Sequence, residues 1–226
     1  MPIPQLPKRL LACALLIDKA DVLADIGTDH GYLAIYLLSS GKISRAHLTD
    51  INEGPLSRAE ANVGEAGFKD LCELHLTDGA AALAESGADV YAICGMGGEL
   101  IADIISRAPH LRDGSIALVL QPMSRPEALR ACLFDLGFEI ERELHATDTG
   151  RHYVCIRARY TGKCHTAPLE ELCFGKLGAE LSCEAVDYLH DRRRSLLRAS
   201  EGIERGGGDA SRERGLIAYL DTLLDK

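Results

Sequence analysis

Short apolar runs alternate along the chain with segments whose apolar positions recur every three or four residues. The runs predict five strands, at residues 22–26, 46–51, 72–76, 90–94 and 116–120. Segments of helical period follow them, at residues 32–39, 56–66, 80–85, 99–106 and 126–136. Strands that alternate with helices at this spacing predict a parallel sheet covered by helices on both faces.

Two further apolar runs, at residues 138–145 and 152–160, are joined by the short turn Thr149-Gly150-Arg151. Because so short a turn cannot cross over a sheet, this last pair must be antiparallel. Five strand–helix units closed by a hairpin are the layout of a Rossmann-like, class I methyltransferase sheet. A purely dinucleotide-binding fold would not end with such a hairpin. The predicted fold class is therefore α/β.

The last third of the chain has a different pattern. Residues 161–180 contain scattered Gly and Pro and predict a connector. Two apolar stripes follow, at positions 181, 185, 189 and 196 and at positions 216, 220 and 223. Steps of three and four residues favour coiled-coil-like packing, and 206–209 is a glycine-rich turn. We predict a domain at 1–160 and a connector with a C-terminal antiparallel helical hairpin at 161–226.

Composition and charge narrow the function classes. Hydrophobic residues make up 46% of the 226 residues and the net charge is −9, which excludes wholesale disorder and a purely electrostatic nucleic-acid binder. No apolar run reaches the roughly 18 residues of a membrane span. The apolar stretch 10–17 follows Lys8-Arg9 but leads into Asp18, Lys19 and Asp21 without a cleavage site, so it predicts a helix and a cytoplasmic protein.

Eight cysteines are spread through the chain, and none forms a C-x-x-C pair. The sequence therefore predicts no metal site. Most of the cysteines lie in apolar runs, as Cys94 and Cys155 do. We expect buried, reduced thiols, because cysteine is among the most buried residue types.

The most informative segment is ADIGTDHGYL at residues 24–33, between the first strand and its helix. Gly27 permits a tight turn there, and the N–H groups at the start of the helix can hold an anion. Asp29 stands where a dinucleotide would need an uncharged backbone. Its carboxylate repels pyrophosphate and suits a sulfonium or an ammonium group. The loop therefore favours S-adenosyl-L-methionine over NAD, with a plain tight turn as the alternative.

Polar and glycine-rich segments also follow the other strands. Asp50 comes roughly 20 residues after Gly27, the spacing at which an acidic side chain binds ribose hydroxyls. Asp78-Gly79 follows the third strand and is a candidate for the adenine amino group. The segment 95–98, GMGG, lets the backbone approach a ligand, and Gln121-Pro122 ends the fifth strand, where Gln could read a base edge.

With these motifs the chain resembles the bacterial tRNA (adenine-N1)-methyltransferase family that modifies a D-arm adenine, often called TrmK. The matching elements are Lys8-Arg9-Leu10, ADIGTDHGYL, Asp50 with Gly54-Pro55, Thr77-Asp78-Gly79, GMGG and Leu120-Gln121-Pro122. The resemblance implies transfer of a methyl group from S-adenosyl-L-methionine to N1 of an adenine in tRNA. It also agrees with a helical C-terminal appendage.

The candidate site residues follow from the motifs and the resemblance together. Asp29 and Tyr32 are the catalytic candidates, for stabilising developing positive charge and for contacting the target base. The cofactor candidates are Arg9, Asp25, Gly27, Asp29, His30, Asp50, Ile51, Asp78, Gly79, Gly95, Met96 and Gly97. The substrate candidates are Gln121, Pro122, Arg192, Arg193, Arg194 and Arg198.

The last four of these form the densest basic run, where Arg194 and Arg198 share a helix face while Leu189 and Leu196 turn inward. A solvated helix face is the alternative. Four more arginines, Arg107, Arg112, Arg125 and Arg130, are predicted near the rim of the site.

Two other functions stay open at this point. One is a methyltransferase of the same fold that acts on a small molecule or a protein. The other is a non-catalytic module that binds S-adenosyl-L-methionine or a nucleotide.

Overall fold

The computed structural model describes residues 5–176 and 181–225. Within these residues one sheet has seven strands in the order β3-β2-β1-β4-β5-β7-β6. The strands are β1 Val22–Ile26, β2 Arg45–Asp50, β3 Cys72–Leu76, β4 Val90–Gly97, β5 Ala117–Ser124, β6 Phe138–Asp148 and β7 Arg151–Tyr160. The first five are mutually parallel, and β7 runs antiparallel to β5 and β6. The predicted fold class is confirmed.

Helices cover both faces of this sheet. They are α1 Lys8–Leu16, α2 Tyr32–Ser39, α3 Glu53–Glu65, α4 Gly98–Ser106, α5 Pro126–Asp135, α6 Leu169–Phe174, α7 Cys183–Arg205 and α8 Ser211–Leu224. One apolar cluster lies between the sheet and α1, α2 and α3, and a second lies between the sheet and α4 and α5. All five residues of β1 are buried, as expected for a central parallel strand covered on both faces.

Three elements differ from the sequence-based prediction. The helix predicted at 80–85 is only a 3-10 turn, Ala81–Leu83, where the Tyr91 hydroxyl donates to the Leu83 carbonyl at 2.8 Å. Strand β4 continues through the glycine-rich segment to Gly97, because that segment pairs irregularly with the extended end of β5. Helix α6 lies in the predicted connector, whose residues 177–180 fall outside the described part.

The C-terminal hairpin has the predicted antiparallel arrangement. Arg193 on α7 pairs with Asp221 on α8, and Arg214 on α8 pairs with Glu204 at 3.1 Å. The predicted stripes meet in a third apolar cluster, which contains Leu189, Leu216 and Leu220 and is joined by Phe174 of α6. No helix in the described ranges is long and apolar enough to cross a membrane.

A buried arginine connects the tail to the sheet domain. The Arg130 side chain is fully buried, and its Nε donates to Glu143 at 2.7 Å. Its Nη1 also donates to the Leu172 carbonyl of α6 at 2.8 Å. The expectation that Arg130 lines the rim of the site is therefore wrong, because its guanidinium is buried and bound to Glu143 and the Leu172 carbonyl.

Candidate active site

A crevice lies at the carboxyl ends of β1, β2 and β4. The strand order changes direction between β1 and β4, and such a switch point is where open α/β sheets bind ligands. The cavity has a volume of about 450 Å³. Ten of the candidate residues line it together: Arg9, Asp25, Gly27, Asp29, His30, Tyr32, Asp50, Ile51, Gly95 and Met96.

The loop from β1 to α2 is shaped by positive backbone angles. Gly27 has φ +71°, and a Cβ placed on it would collide with the Cε of Met96. Asp29 also adopts the left-handed region, with φ 50°, although it is not a glycine. Such a conformation is unfavourable for an L-residue with a side chain, so the surrounding loop must hold it in place. The loop is thus packed against the glycine-rich end of β4.

Asp25 is the deepest carboxylate of the crevice. It is buried at the end of β1, and burial raises the pKa of this carboxyl from 3.8 to about 6. The hydroxyl of Thr28 donates to it at 2.7 Å, which opposes the shift only in part. A carboxylate that has lost its water and gained one neutral donor is poised to bind a cation.

Asp29 and its neighbours form the mouth of the crevice. The Asp29 carboxylate lies 3.0 Å from Arg58 Nη2 and 3.4 Å from His30 Nε2. The His30 and Tyr32 rings are stacked, with centroids 5.2 Å apart and planes 13° apart. These stacked rings offer an aromatic surface beside a carboxylate, which suits a nucleobase that becomes positively charged.

Asp50 ends β2 at the side of the crevice. One carboxylate oxygen, Oδ1, accepts the backbone N–H of Asn52 at 2.9 Å. This hydrogen bond orients the carboxyl group while its remaining lone pairs stay available for hydroxyl donors. Ile51 follows as an exposed apolar residue, and both line the cavity.

Arg9 enters the crevice from α1. Its Nη1 donates to Gln121 Oε1 at 3.1 Å, and Asp148 lies 3.9 Å from its Nε. Gln121 is completely buried, and its Nε2 donates to the backbone carbonyl of Pro122 at 3.0 Å. The structure therefore places Gln121 and Pro122 behind Arg9 and not at the crevice surface, where reading a base edge would require them.

Several other candidates lie apart from the crevice lining. Asp78 Oδ2 accepts from Arg107 Nη1 at 3.0 Å, so its charge is paired outside the cavity, and Gly79 beside it packs on Ile104. Gly97 is the residue before α4, with an extended backbone, and does not line the cavity.

The four tail arginines are on α7 and do not line this cavity. Arg194 and Arg198 are exposed, whereas Arg192 is half-buried with a buried, unpartnered Nε, and Arg193 pairs with Asp221. Arg194 also has a weak partner, Asp191, at 3.1 Å.

Sequence reasoning missed three residues that shape the site. Thr28 donates to Asp25, Arg58 pairs with Asp29 from α3, and Cys94 lines the cavity. Thr28 was visible in the loop motif, but Arg58 is 29 residues from Asp29 and only the fold brings them together. The described cysteines are all free thiols. Only Cys13, Cys155 and Cys173 are buried; contrary to expectation, Cys72, Cys94 and Cys132 are half-buried and Cys164 and Cys183 are exposed.

Comparison with known proteins assigns the domain to a class. A family model described as a methyltransferase domain matches residues 6–156, which include every strand except the end of β7. The chain belongs to this methyltransferase domain family.

The particular relatives agree with the resemblance seen in the sequence. A tRNA (adenine(22)-N(1))-methyltransferase of Bacillus subtilis (strain 168) is 32% identical over 154 residues, or 68% of this chain. The match spans 65% of the length of that curated relative.

Solved structures match nearly the whole chain. The B. subtilis M1A22 tRNA methyltransferase TrmK is 25% identical, with a TM-score of 0.79 and coverage of 98% of this chain and 96% of that one. A candidate tRNA (m1A22) methyltransferase of Streptococcus pneumoniae, in complex with S-adenosyl-L-methionine, is 29% identical with a TM-score of 0.85; the match covers 97% of this chain and all of the other. The last comparison extends the likeness through the C-terminal hairpin.

Proposed function

We propose that this protein is an S-adenosyl-L-methionine-dependent tRNA (adenine(22)-N1)-methyltransferase. The observation that carries the proposal is the crevice, where Asp25, Asp29 and Asp50 surround one cavity at the switch point of the sheet. Its catalytic part is residues 1–160, and the tail is residues 161–226. Because tRNA is the substrate of the curated relative, tRNA is the proposed partner and the cytoplasm the proposed location.

The crevice residues fit the proposed cofactor. A volume of about 450 Å³ suits a ligand of nucleoside size with an amino-acid tail. Asp50 is the proposed acceptor for the ribose hydroxyls, and Gly27 and Gly95 keep side chains out of the cavity walls. Asp25 is the proposed partner for positive charge, because a bound cation offsets the desolvation of its carboxylate.

For methyl transfer to adenine N1, the main task of the protein is to align the donor and the acceptor. S-adenosyl-L-methionine, when bound, supplies an electrophilic methyl group on a sulfonium sulfur. Adenine N1 carries its own lone pair, so no residue has to remove a proton before the attack. The protein therefore has to hold donor and acceptor in line, and such positioning alone supplies several kcal/mol.

Asp29 and Tyr32 are the proposed catalytic residues at the mouth of the crevice. Methylation at N1 makes the adenine cationic, and the Asp29 carboxylate stabilises that charge. The Tyr32 ring, stacked on His30, offers a face for the adenine once it has left its pair or stack. Arg58 holds the Asp29 carboxylate in place from α3.

An assay with isotope-labelled methyl donor and unmodified tRNA transcripts tests the proposal. We expect label in tRNA, with 1-methyladenosine found by mass spectrometry at position 22. A transcript that carries guanosine at position 22 is the matched control and should remain unlabelled. Label that appears only in small molecules or proteins would favour a different substrate, and cofactor binding without any transfer would favour a non-catalytic module.

A further inference from the structure

Two histidines and one glutamate lie together on the outer strands of the sheet, away from the crevice. His47 belongs to β2, and Glu73 and His75 belong to the edge strand β3. His47 is in register with Glu73, and His75 follows two positions later on the same strand. Because side chains alternate between faces, all three project from one face of the sheet.

Their polar atoms are close enough to share one ion. His47 Nδ1 lies 2.9 Å from His75 Nε2. One oxygen of Glu73 lies 3.6 Å from His47 Nδ1, and the other lies 3.8 Å from His75 Nε2. Across all three residues, the candidate ligand atoms lie within 4.8 Å of one another. One nitrogen of each imidazole and a carboxylate oxygen of Glu73 thus lie close enough together to hold one ion.

The missing helix between β3 and β4 explains why this cluster is accessible. His47 is in register with Ala24, whose face carries Ala80 and Leu83 in the same apolar cluster. The 3-10 turn Ala81–Leu83 lies there in place of the predicted helix, and the Ser86 backbone contacts His47. With so little cover the two histidine side chains stay partly exposed, at 16% and 25%, and the Glu73 side chain is 69% exposed and open to an incoming ion.

We propose that His47, Glu73 and His75 form a binding site for a divalent transition-metal ion of the zinc class. Imidazole and carboxylate ligands suit zinc and its neighbours and are less suited to magnesium or calcium, which prefer oxygen alone. The ion would connect β2 to the edge strand β3 and stabilise the fold, without taking part in methyl transfer. The expectation of a metal-free protein, which rested on the cysteine pattern, did not consider residues paired across two strands.

Metal binding to the full, untagged chain tests this site. After treatment with a chelator, the protein is dialysed against Zn²⁺, and bound zinc is counted by mass spectrometry. We expect one equivalent of zinc in the wild type. In His75→Gln and Glu73→Gln, affinity should fall by more than about 100-fold, because even outer contacts of a metal site contribute 10–100-fold. The exposed His190 on α7 gives the matched control, His190→Gln, which should bind like the wild type.

Two further measurements distinguish zinc at this site from zinc at the exposed thiols. Cobalt binding gives visible absorption bands, and ligation by nitrogen and oxygen lacks the intense near-ultraviolet band of a cobalt–thiolate bond, so binding at Cys164 or Cys183 would be recognised. Zinc should also raise the melting temperature of the wild type but not of Glu73→Gln, whose exposed side chain can change without loss of the fold. No zinc bound, or equal binding in wild type and variants, would overturn the proposal and leave the 2.9 Å contact as a hydrogen bond between two imidazoles.

Discussion

Two carboxylates of the crevice and two arginines of the C-terminal hairpin are arranged in opposite ways. At the crevice, Asp25 is buried with one hydroxyl as its side-chain partner, and Asp50 is oriented by a backbone N–H. In the hairpin, Arg193 and Arg214 each face a carboxylate on the other helix. A charged group without a counterion lowers the stability of the fold but remains available to bind a ligand. A charged group in an ion pair helps to hold two helices together and is less available to bind a partner.

The largest effect is expected at the buried arginine that links α5 to α6. Glu143→Gln would leave the fully buried Arg130 without its counter-charge, so the free energy of unfolding should fall by about 3–5 kcal/mol. Urea unfolding measures this change. Glu60→Gln is the matched control, because its pair with Lys69 is exposed and such pairs contribute only about 0–1 kcal/mol. Equal effects of the two variants would show that the buried pair contributes no more to stability than an exposed pair.

Asp25 should show the stability cost of an unpaired crevice charge. Its folded pKa, about 6, lies above its ordinary value of 3.8, so the folded protein holds a proton that the unfolded chain releases between roughly pH 4 and 6. The stability due to this residue is present below that window and is lost as the pH rises through it. At pH 7, Asp25→Asn should therefore be more stable than the wild type by up to about 3 kcal/mol.

The same variant should bind the cofactor more weakly, since the proposed partner of its positive charge is gone. Thermal unfolding at pH 5 and pH 7, together with calorimetry, measures both effects, and the gain in stability should be smaller at pH 5. A variant less stable at pH 7, or one with unchanged cofactor affinity, would contradict the role given to Asp25.

Asp50 and Asp78 give a comparison within the sheet domain, because both lie at the carboxyl end of a strand but only Asp50 lines the crevice. Asp50→Ala should weaken S-adenosyl-L-methionine binding by about 1–3 kcal/mol through the loss of charge-assisted hydrogen bonds. Asp78→Ala, whose carboxylate is paired with Arg107, is the matched control and should bind normally. Calorimetry measures the cofactor affinity of both variants. A larger loss of affinity in Asp78→Ala than in Asp50→Ala would restore Asp78 as a cofactor ligand.

The smallest effect is expected from the exposed arginines of the hairpin. Replacing Arg194 and Arg198 by Ala should weaken tRNA binding and lower the salt slope by about 0.9 for each lost phosphate contact. Arg193→Ala, which removes a pair between helices, should lower stability and leave the slope unchanged. Binding curves at several salt concentrations measure the slopes. Superimposable curves would remove the hairpin from the RNA surface and leave Arg107, Arg112 and Arg125 as candidates.

The sequence was informative where local pattern and spacing decide the structure. Strands such as Val22–Ile26 and the carboxylates that follow them could be predicted, because parallel strands bring their carboxyl ends to one edge. The helix predicted at 80–85 was wrong. The alanines of this segment favour a helix in isolation, but Ser86 and Gly87 end it after one turn, and the Tyr91 hydroxyl donates to the Leu83 carbonyl. Residues as far apart as Arg58 and Asp29, or Arg130 and Leu172, meet only through the fold, so their pairing had no local signal.

The position of β7 has a consequence for synthesis on the ribosome. Strand β7 is the last to be made, yet it lies between β5 and β6. Until residues 151–160 emerge, the edge of β5 stays open, and an open edge can pair with other chains. At roughly 5–20 residues per second, the stretch between β5 and the end of β7 takes seconds to complete. During that interval the nascent sheet is exposed to aggregation, and a chain truncated after β5 would remain in that state permanently.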